Sequence, residues 1–129
     1  MSLLFDASAI INLSLRNKPH AFLKGRTVPL AEYEIGNAVW KQVSLSGELS
    51  EEDGARILRR LVDAVALMDI IRVPQVEDAL RVACEEGLSY YDAYYVAAAK
   101  ASGSTLVTDD DALRRKAERY VDVLRSLNL

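Results

Sequence analysis

The chain has 129 residues, 50% of them hydrophobic, a net charge of −3, one cysteine and one histidine. That is the size of one domain with enough apolar residues for a core, so a single unit over residues 1–129 is expected. The lone Cys84 excludes an internal disulfide and a cysteine zinc cage, the lone His20 excludes chemistry that needs a histidine pair, and the mild negative charge argues against a general nucleic-acid coat.

No apolar stretch reaches the roughly 18 residues of a membrane span, and the N-terminus shows neither a basic leader nor a cleavage site. A soluble, cytoplasmic protein with no membrane contact is expected. Catalysis, if present, has carboxylates, hydroxyls, amines or a metal to work with. Cys84 reads as packed in a helix face, and His20, beside Pro19, as an exposed loop residue.

In chain order, Leu3-Leu4-Phe5 is a short apolar strand that stops at Asp6, and the following residues to Leu13 have a helical pattern. Arg26-Thr27-Val28-Pro29 reads as a second strand with proline at its exit. A helix is predicted from Ala31 to about Leu45, where Ile35, Val39 and Val43 recur every fourth residue and Glu34, Asn37 and Lys41 fall on an adjoining stripe. Ser50 to Asp53 has the form of a capping box and opens an amphipathic helix. Met68 to Val73, stopped by Pro74, is a third strand with no acid at its end, and Val76 to Glu86 a helix closed by Gly87. Ser89 to Asp92 is another box-like start, leading into an alanine-rich helix to Ser102.

The fourth strand, Ser104-Thr105-Leu106-Val107, runs into Thr108-Asp109-Asp110-Asp111, with a last long helix predicted after it and a final strand over Val121 to Leu124. Thr108 with Asp111 three residues on reads as a capping box, which leaves Asp109 and Asp110 surplus to capping. Three successive acids repel one another unless a cation sits among them. Strands alternating with helices point to an α/β fold, a parallel sheet covered by helices on both faces. In such sheets ligands gather beyond the carboxyl ends of strands, where Asp6 and this junction both lie.

Each acid at a junction has a structural reading: Asp6 as an N-cap, Glu34 as a solvated helix acid, Asp92 as half of a capping box. Taken together, Asp6, Glu34, Asp92 and Asp110 form a candidate hard-cation site, because Mg²⁺ and Mn²⁺ prefer oxygen ligands and keep several waters. The segments Leu4-Phe5-Asp6-Ala7-Ser8, Glu34-Ile35-Gly36-Asn37, Tyr90-Tyr91-Asp92-Ala93-Tyr94-Tyr95 and Leu106-Val107-Thr108-Asp109-Asp110 resemble the PIN domain, and more narrowly the VapC-like toxins of toxin–antitoxin pairs. The resemblance implies a sheet of about five strands in the order 3-2-1-4-5. It also implies an acidic metal quartet of Asp6, Glu34, Asp92 and Asp110, supported by Ser8, Asn37 and Thr108, with Asp109 and Asp111 as candidates for a water-mediated place. The activity it implies is Mg²⁺-dependent endoribonuclease action, with Mn²⁺ able to substitute, and the partners are RNA, a cognate antitoxin and a second copy in a homodimer.

Candidate phosphate contacts are Arg56, Arg59, Arg60, Arg114, Arg115, Lys116, Arg119 and Lys41, although solvated helix faces account for such residues as well. Tyr90, Tyr91, Tyr94 and Tyr95 offer rings for base stacking; the one-turn spacing of Tyr91 and Tyr95 suggests that at least two of the four pack in the core. Leu45, Leu58 and Val62 are candidates for a subunit surface. Other readings fit less well. A receiver-type phosphoacceptor would want an acid where Val73-Pro74 stands and a lysine after the last strand. A haloacid-dehalogenase-like phosphatase would want an acid at Ser8, and a PIN-fold binding module without catalysis has no need of all four acids.

Overall fold

The computed structural model describes residues 2–129. Its strands are β1 (Leu3–Phe5), β2 (Arg26–Thr27), β3 (Asp69–Ile70), β4 (Thr105–Val107) and β5 (Val123–Leu124). They form one sheet in the order β3-β2-β1-β4-β5 with every pairing parallel, the order that the resemblance implied. Parallel neighbours need crossover connections. These are supplied by α1 (Ala7–Leu15), α2 (Leu30–Trp40), α3 (Glu51–Val65), α4 (Val76–Glu86), α5 (Tyr90–Ser102) and α6 (Asp111–Ala117).

Alternation along the two central strands splits the core into two layers. Leu4 and Leu106 face one side, where they pack with Ala79 and Val82 of α4, Val96 of α5 and Leu113 of α6. Phe5 and Val107 face the other, against Ile10 and Leu13 of α1, Ile35 of α2 and Leu61 of α3. Burial of each of these large side chains contributes about 1.5–3 kcal/mol, which is why the short central strands hold their register. That register pairs Leu3 with Thr105 and Phe5 with Val107, so the next residues, Asp6 and Thr108, leave the sheet side by side. The strand order reverses between β1 and β4, which makes this end the topological switch point.

Local signals set most of the helix ends. Ser50 and Ser89 accept from the backbone N–H groups of Asp53 and Asp92, while Gly87 and Gly103 close α4 and α5 in the left-handed region at φ 67° and 64°. The helix expected over 31–45 is α2 followed by a π-helical turn, Lys41–Leu45, with Ile35 and Val39 buried and Val43 half-buried as the periodicity requires.

Several expectations need correction. The helix after the Asp109 junction is short, 7 residues, because the chain must turn at once into β5. Its N-cap is Asp110, which accepts from the Leu113 N–H at 3.0 Å; Thr108 is instead still aligned with the sheet. Cys84 is exposed, since α4 packs through Ala79, Val82 and Ala83 and position 84 lies away from that face. His20 is exposed as expected, within a 3₁₀ turn, Pro19–Ala21. No helix among the described residues is long and apolar enough to cross a membrane.

One position tests the packing directly. A Cβ at Gly25 would lie 2.5 Å from Phe5 Cε1 and 3.1 Å from the Phe22 carbonyl oxygen, and both aromatic side chains are fully buried in edge-on contact at 6.3 Å. Gly25→Ala is therefore expected to destabilise by about 2 kcal/mol, as overpacking does, and urea unfolding measures it.

Candidate active site

The carboxyl end of β1 delivers Asp6 into a tight set of donors. Its Oδ1 accepts from Ser8 Oγ at 2.7 Å and from the Ala9 N–H at 2.9 Å, the latter capping α1. Its Oδ2 accepts from Thr108 Oγ1, and Thr108 in turn accepts from the Asp110 N–H at 3.1 Å. Only 5% of Asp6 is exposed. Burial pushes its carboxyl up to about 6 despite the hydrogen bonds from Thr108, Ala9 and Ser8, and the charge of Glu34 adds to the rise.

The other three acids continue the row. Glu34, on α2, is raised by burial, opposed by a hydrogen bond from Tyr95 and reinforced by the charge of Asp92. Asp92, in the first turn of α5, is raised by burial and then by the charge of Asp110. Four carboxylates from β1, α2, α5 and the α6 N-cap thus stand in sequence, each acting on the next. None of them has a cationic partner at ion-pair distance among the described residues.

Asp109 and Asp111 are placed differently. The Asp109 carboxylate accepts from Asn12 Nδ2 at 2.7 Å, from the Ser126 N–H at 2.8 Å and from Ser126 Oγ at 2.6 Å, and its own N–H donates to Ser8 Oγ at 3.1 Å. Burial would raise its pKa, but the bonds from Ser126 and Asn12, with Arg16 nearby, outweigh that and lower it. Asp111 is paired with Arg125 at 2.8 Å and with Arg114 at 3.6 Å. The cations that three successive acids call for are therefore Arg16, Arg125 and Arg114, and they serve the two flanking acids and not Asp110.

Of the supporting residues expected, Ser8 and Thr108 touch Asp6 directly, whereas Asn37 is exposed and bonds none of the acids among the described residues. Asn12, Arg16 and Ser126 were not foreseen. Ser8, Asn12 and Arg16 recur every fourth residue along α1, a polar stripe on an apolar helix that the sequence does display. Ser126 gave no such signal, because it comes from the C-terminal 3₁₀ turn, Ser126–Asn128.

Arg16 and Arg125, with Leu15 and Leu127, line a cleft of about 400 Å³ beside Asp109. A second cleft, about 380 Å³ around Gly25, Arg26 and Asp69, lies at the amino ends of the strands, away from the acids. Among the foreseen cations, Arg56, Arg59, Arg114 and Arg119 are paired with neighbouring carboxylates. Tyr95 is in the core and Tyr94 half-buried, but Tyr91 is 60% exposed, so the pair one turn apart is not a core pair. Tyr91 lies in the first turn of α5.

A row of acids, buried at Asp6, half-buried at Glu34 and Asp92 and exposed at Asp110, at the switch point of a five-stranded parallel sheet defines an open α/β fold with a carboxylate site. The PIN domain matches residues 3–119, and the chain belongs to that family. Exonuclease VapC9 of Pyrobaculum aerophilum is 36% identical over 124 residues, covering 93% of this chain and 89% of its own. Ribonuclease VapC3 of the same organism is 32% identical over 125 residues, 90% of this chain and 95% of its own. A crystal structure from Pyrobaculum aerophilum has a TM-score of 0.81 at 32% identity, over 99% of this chain and 92% of that one. A toxin–antitoxin complex from Klebsiella pneumoniae shares the fold at a TM-score of 0.62 and 20% identity, over 84% of this chain and 87% of the other.

Proposed function

We propose that this chain is a VapC-type ribonuclease that hydrolyses RNA phosphodiester bonds with Mg²⁺, for which Mn²⁺ can substitute, as the toxin of a toxin–antitoxin pair. The observation that carries the reading is the row Asp6, Glu34, Asp92 and Asp110: four acids from four separate segments, in electrostatic contact and without cations of their own. Structural acids find partners, as Asp109 and Asp111 do. An uncompensated row is costly unless it serves a cation.

The donor set is all oxygen, which fits a hard cation. As they stand, no three acids among the described residues converge tightly enough to enclose one bare ion. Asp6, Glu34, Asp92 and Asp110 would together hold a Mg²⁺, an ion that commonly keeps several of its waters when carboxylates bind it. When bound, the ion supplies a water of lowered pKa and positive charge against the phosphate oxygens.

The chain's own residues do the rest. Ser8, Ala9 and Thr108 fix Asp6 in one orientation, and the first turn of α5 and the N-cap of α6 place Asp92 and Asp110. Lys41, Arg60 and Lys116, foreseen cations with no ion pair among the described residues, are available to contact the RNA backbone. The fold places no histidine in the row, so protons must pass through carboxylates and water.

Support for the nuclease class comes from the two relatives, one named an exonuclease and the other a ribonuclease, and for an antitoxin partner from the toxin–antitoxin complex that shares the fold. The exposed Leu45, with half-buried Leu58 and Val62, belongs to the α2–α3 surface that we assign to contact with a second copy or the antitoxin. Cytoplasmic action on cellular RNA follows from the same reading.

Metal binding is the test that needs no knowledge of the RNA sequence. Mn²⁺ at a hundredfold excess over its dissociation constant is expected to stabilise the wild type by about 2.7 kcal/mol in thermal melts. Glu34→Gln, Asp92→Asn and Asp110→Asn are each expected to remain folded, lose most of that response and lose RNA hydrolysis. Equal metal responses in wild type and variants would mean that the acids are only helix caps.

A further inference from the structure

Helix α5 carries Asp92 and Tyr95 three residues apart and hence on one face. Tyr95 is the bulkiest fully buried side chain among the described residues, at 1% exposure, yet its ring does not end in the apolar core. Its hydroxyl donates to Glu34 Oε1 at 2.7 Å, and both the Asp6 charge and the Ala7 N–H act on the same hydroxyl. The oxygen of Tyr95 therefore stands between the acid that ends β1 and the acid on α2. Phenylalanine would fill the space equally well, and a buried hydroxyl costs free energy unless it is bonded. The partner here is an acid with no other hydrogen bond among the described residues, which leaves Oε2 of Glu34 unengaged.

We infer that Tyr95 is a positioning residue, whose hydroxyl ties down one oxygen of Glu34 so that the other is presented to a divalent cation in the acid row. This rests on the metal-site reading above. A carboxylate held at one oxygen loses rotational freedom before the cation arrives, so less ordering is left for binding to supply. It also keeps Glu34 from turning out to solvent, which repulsion from Asp6 and Asp92 would otherwise favour.

The experiment is Mn²⁺ titration calorimetry on wild type and Tyr95→Phe, with metal-free melts and steady-state cleavage of an oligoribonucleotide in parallel. Groups that orient metal ligands typically contribute ~10–100-fold in affinity, so the Mn²⁺ dissociation constant should rise by at least about tenfold in Tyr95→Phe. The kcat should fall while KM for RNA holds, because the hydroxyl does not face the substrate. In a Glu34→Gln background the same substitution should change Mn²⁺ affinity less than about twofold, since the coupling has already been removed. A Tyr95→Phe protein that melts lower but binds Mn²⁺ like wild type overturns the inference, for Glu34 would then serve only to satisfy a core tyrosine. If Tyr95→Phe does not fold, Glu34→Gln alone decides: it retains an acceptor for Tyr95, and unchanged Mn²⁺ affinity there overturns the inference equally. A wild type that binds no Mn²⁺ overturns the metal-site reading itself.

Discussion

Asp6→Asn is expected to abolish RNA hydrolysis, by about a thousandfold or more, and at the same time to make the metal-free protein more stable at neutral pH. The two effects have one origin. Asp6 is 5% exposed and its carboxyl is pushed up from 3.8 to about 6, so the folded protein holds a proton there that the unfolded chain has already released. Between those two pH values the folded state binds more protons than the unfolded one, and stability contributed through this group falls as pH rises. Above about pH 6 the full penalty is present, up to about 3 kcal/mol for a shift of this size. Asparagine removes that penalty and fits the same donors. Its oxygen takes the place of Oδ1, which accepts from Ser8 and Ala9, and its amide takes the place of Oδ2, facing a Thr108 hydroxyl that can turn to accept. Melts across pH 4 to 8 should show wild type and variant converging at the acid end and separating at neutral pH. Added Mn²⁺ should reverse the order by stabilising only the wild type. A variant less stable than wild type at pH 7 without metal would show that the Asp6 charge contributes to folding and is not a burden carried for function.

The sheet and its order were legible because β1 and β4 are bounded by residues of opposite kind, Leu-Phe against Asp6 and Leu-Val against Thr108, and because the family resemblance fixed which strands adjoin. Asp6, Asp92 and Asp110 stood out because each lies at the start of a helix, whereas Glu34, inside α2, was singled out through the family resemblance. What pattern alone did not reveal lies in contacts between distant segments. Asp109 meets Asn12 across 97 positions and Ser126 across 17, and nothing near Asp109 in the chain announces either partner. Thr108 followed by an acid three residues on imitates a capping box, but a run of three acids supports more than one register, and Asp110 is the better cap once Thr108 is held by Asp6. Spacing placed Tyr91 and Tyr95 on one stripe, and only the packing of distant segments decides that the second is buried while the first stays exposed.

Adjacent acids with opposite roles give the second large effect. Asp109→Ala is expected to destabilise by about 2–3 kcal/mol, whereas Asp110→Asn should leave stability within about 0.5 kcal/mol of wild type while eliminating hydrolysis. Asp109 accepts three hydrogen bonds that tie α1 and the C-terminal 3₁₀ turn to the strand end, and its removal leaves Ser126, itself 2% exposed, with a donor N–H and a hydroxyl lacking their acceptor. Hydrogen bonds to charged acceptors contribute about 1.5–3 kcal/mol each when buried, and the half-exposed position of Asp109 reduces the total. Asn at 110 is as good an N-cap as Asp, so the Leu113 N–H keeps its acceptor and only the charge facing Asp92 is lost. The pH response separates them as well. Asp109 is held below its ordinary pKa, so its contribution is present above that ordinary value and is lost as pH falls through the lowered one, the reverse of Asp6. Urea unfolding of both variants at pH 7 and in the acid range is the measurement. If instead Asp110→Asn were unstable and Asp109→Ala merely inactive, the metal row would run through Asp109, and the Ser126 contacts would be incidental to the fold.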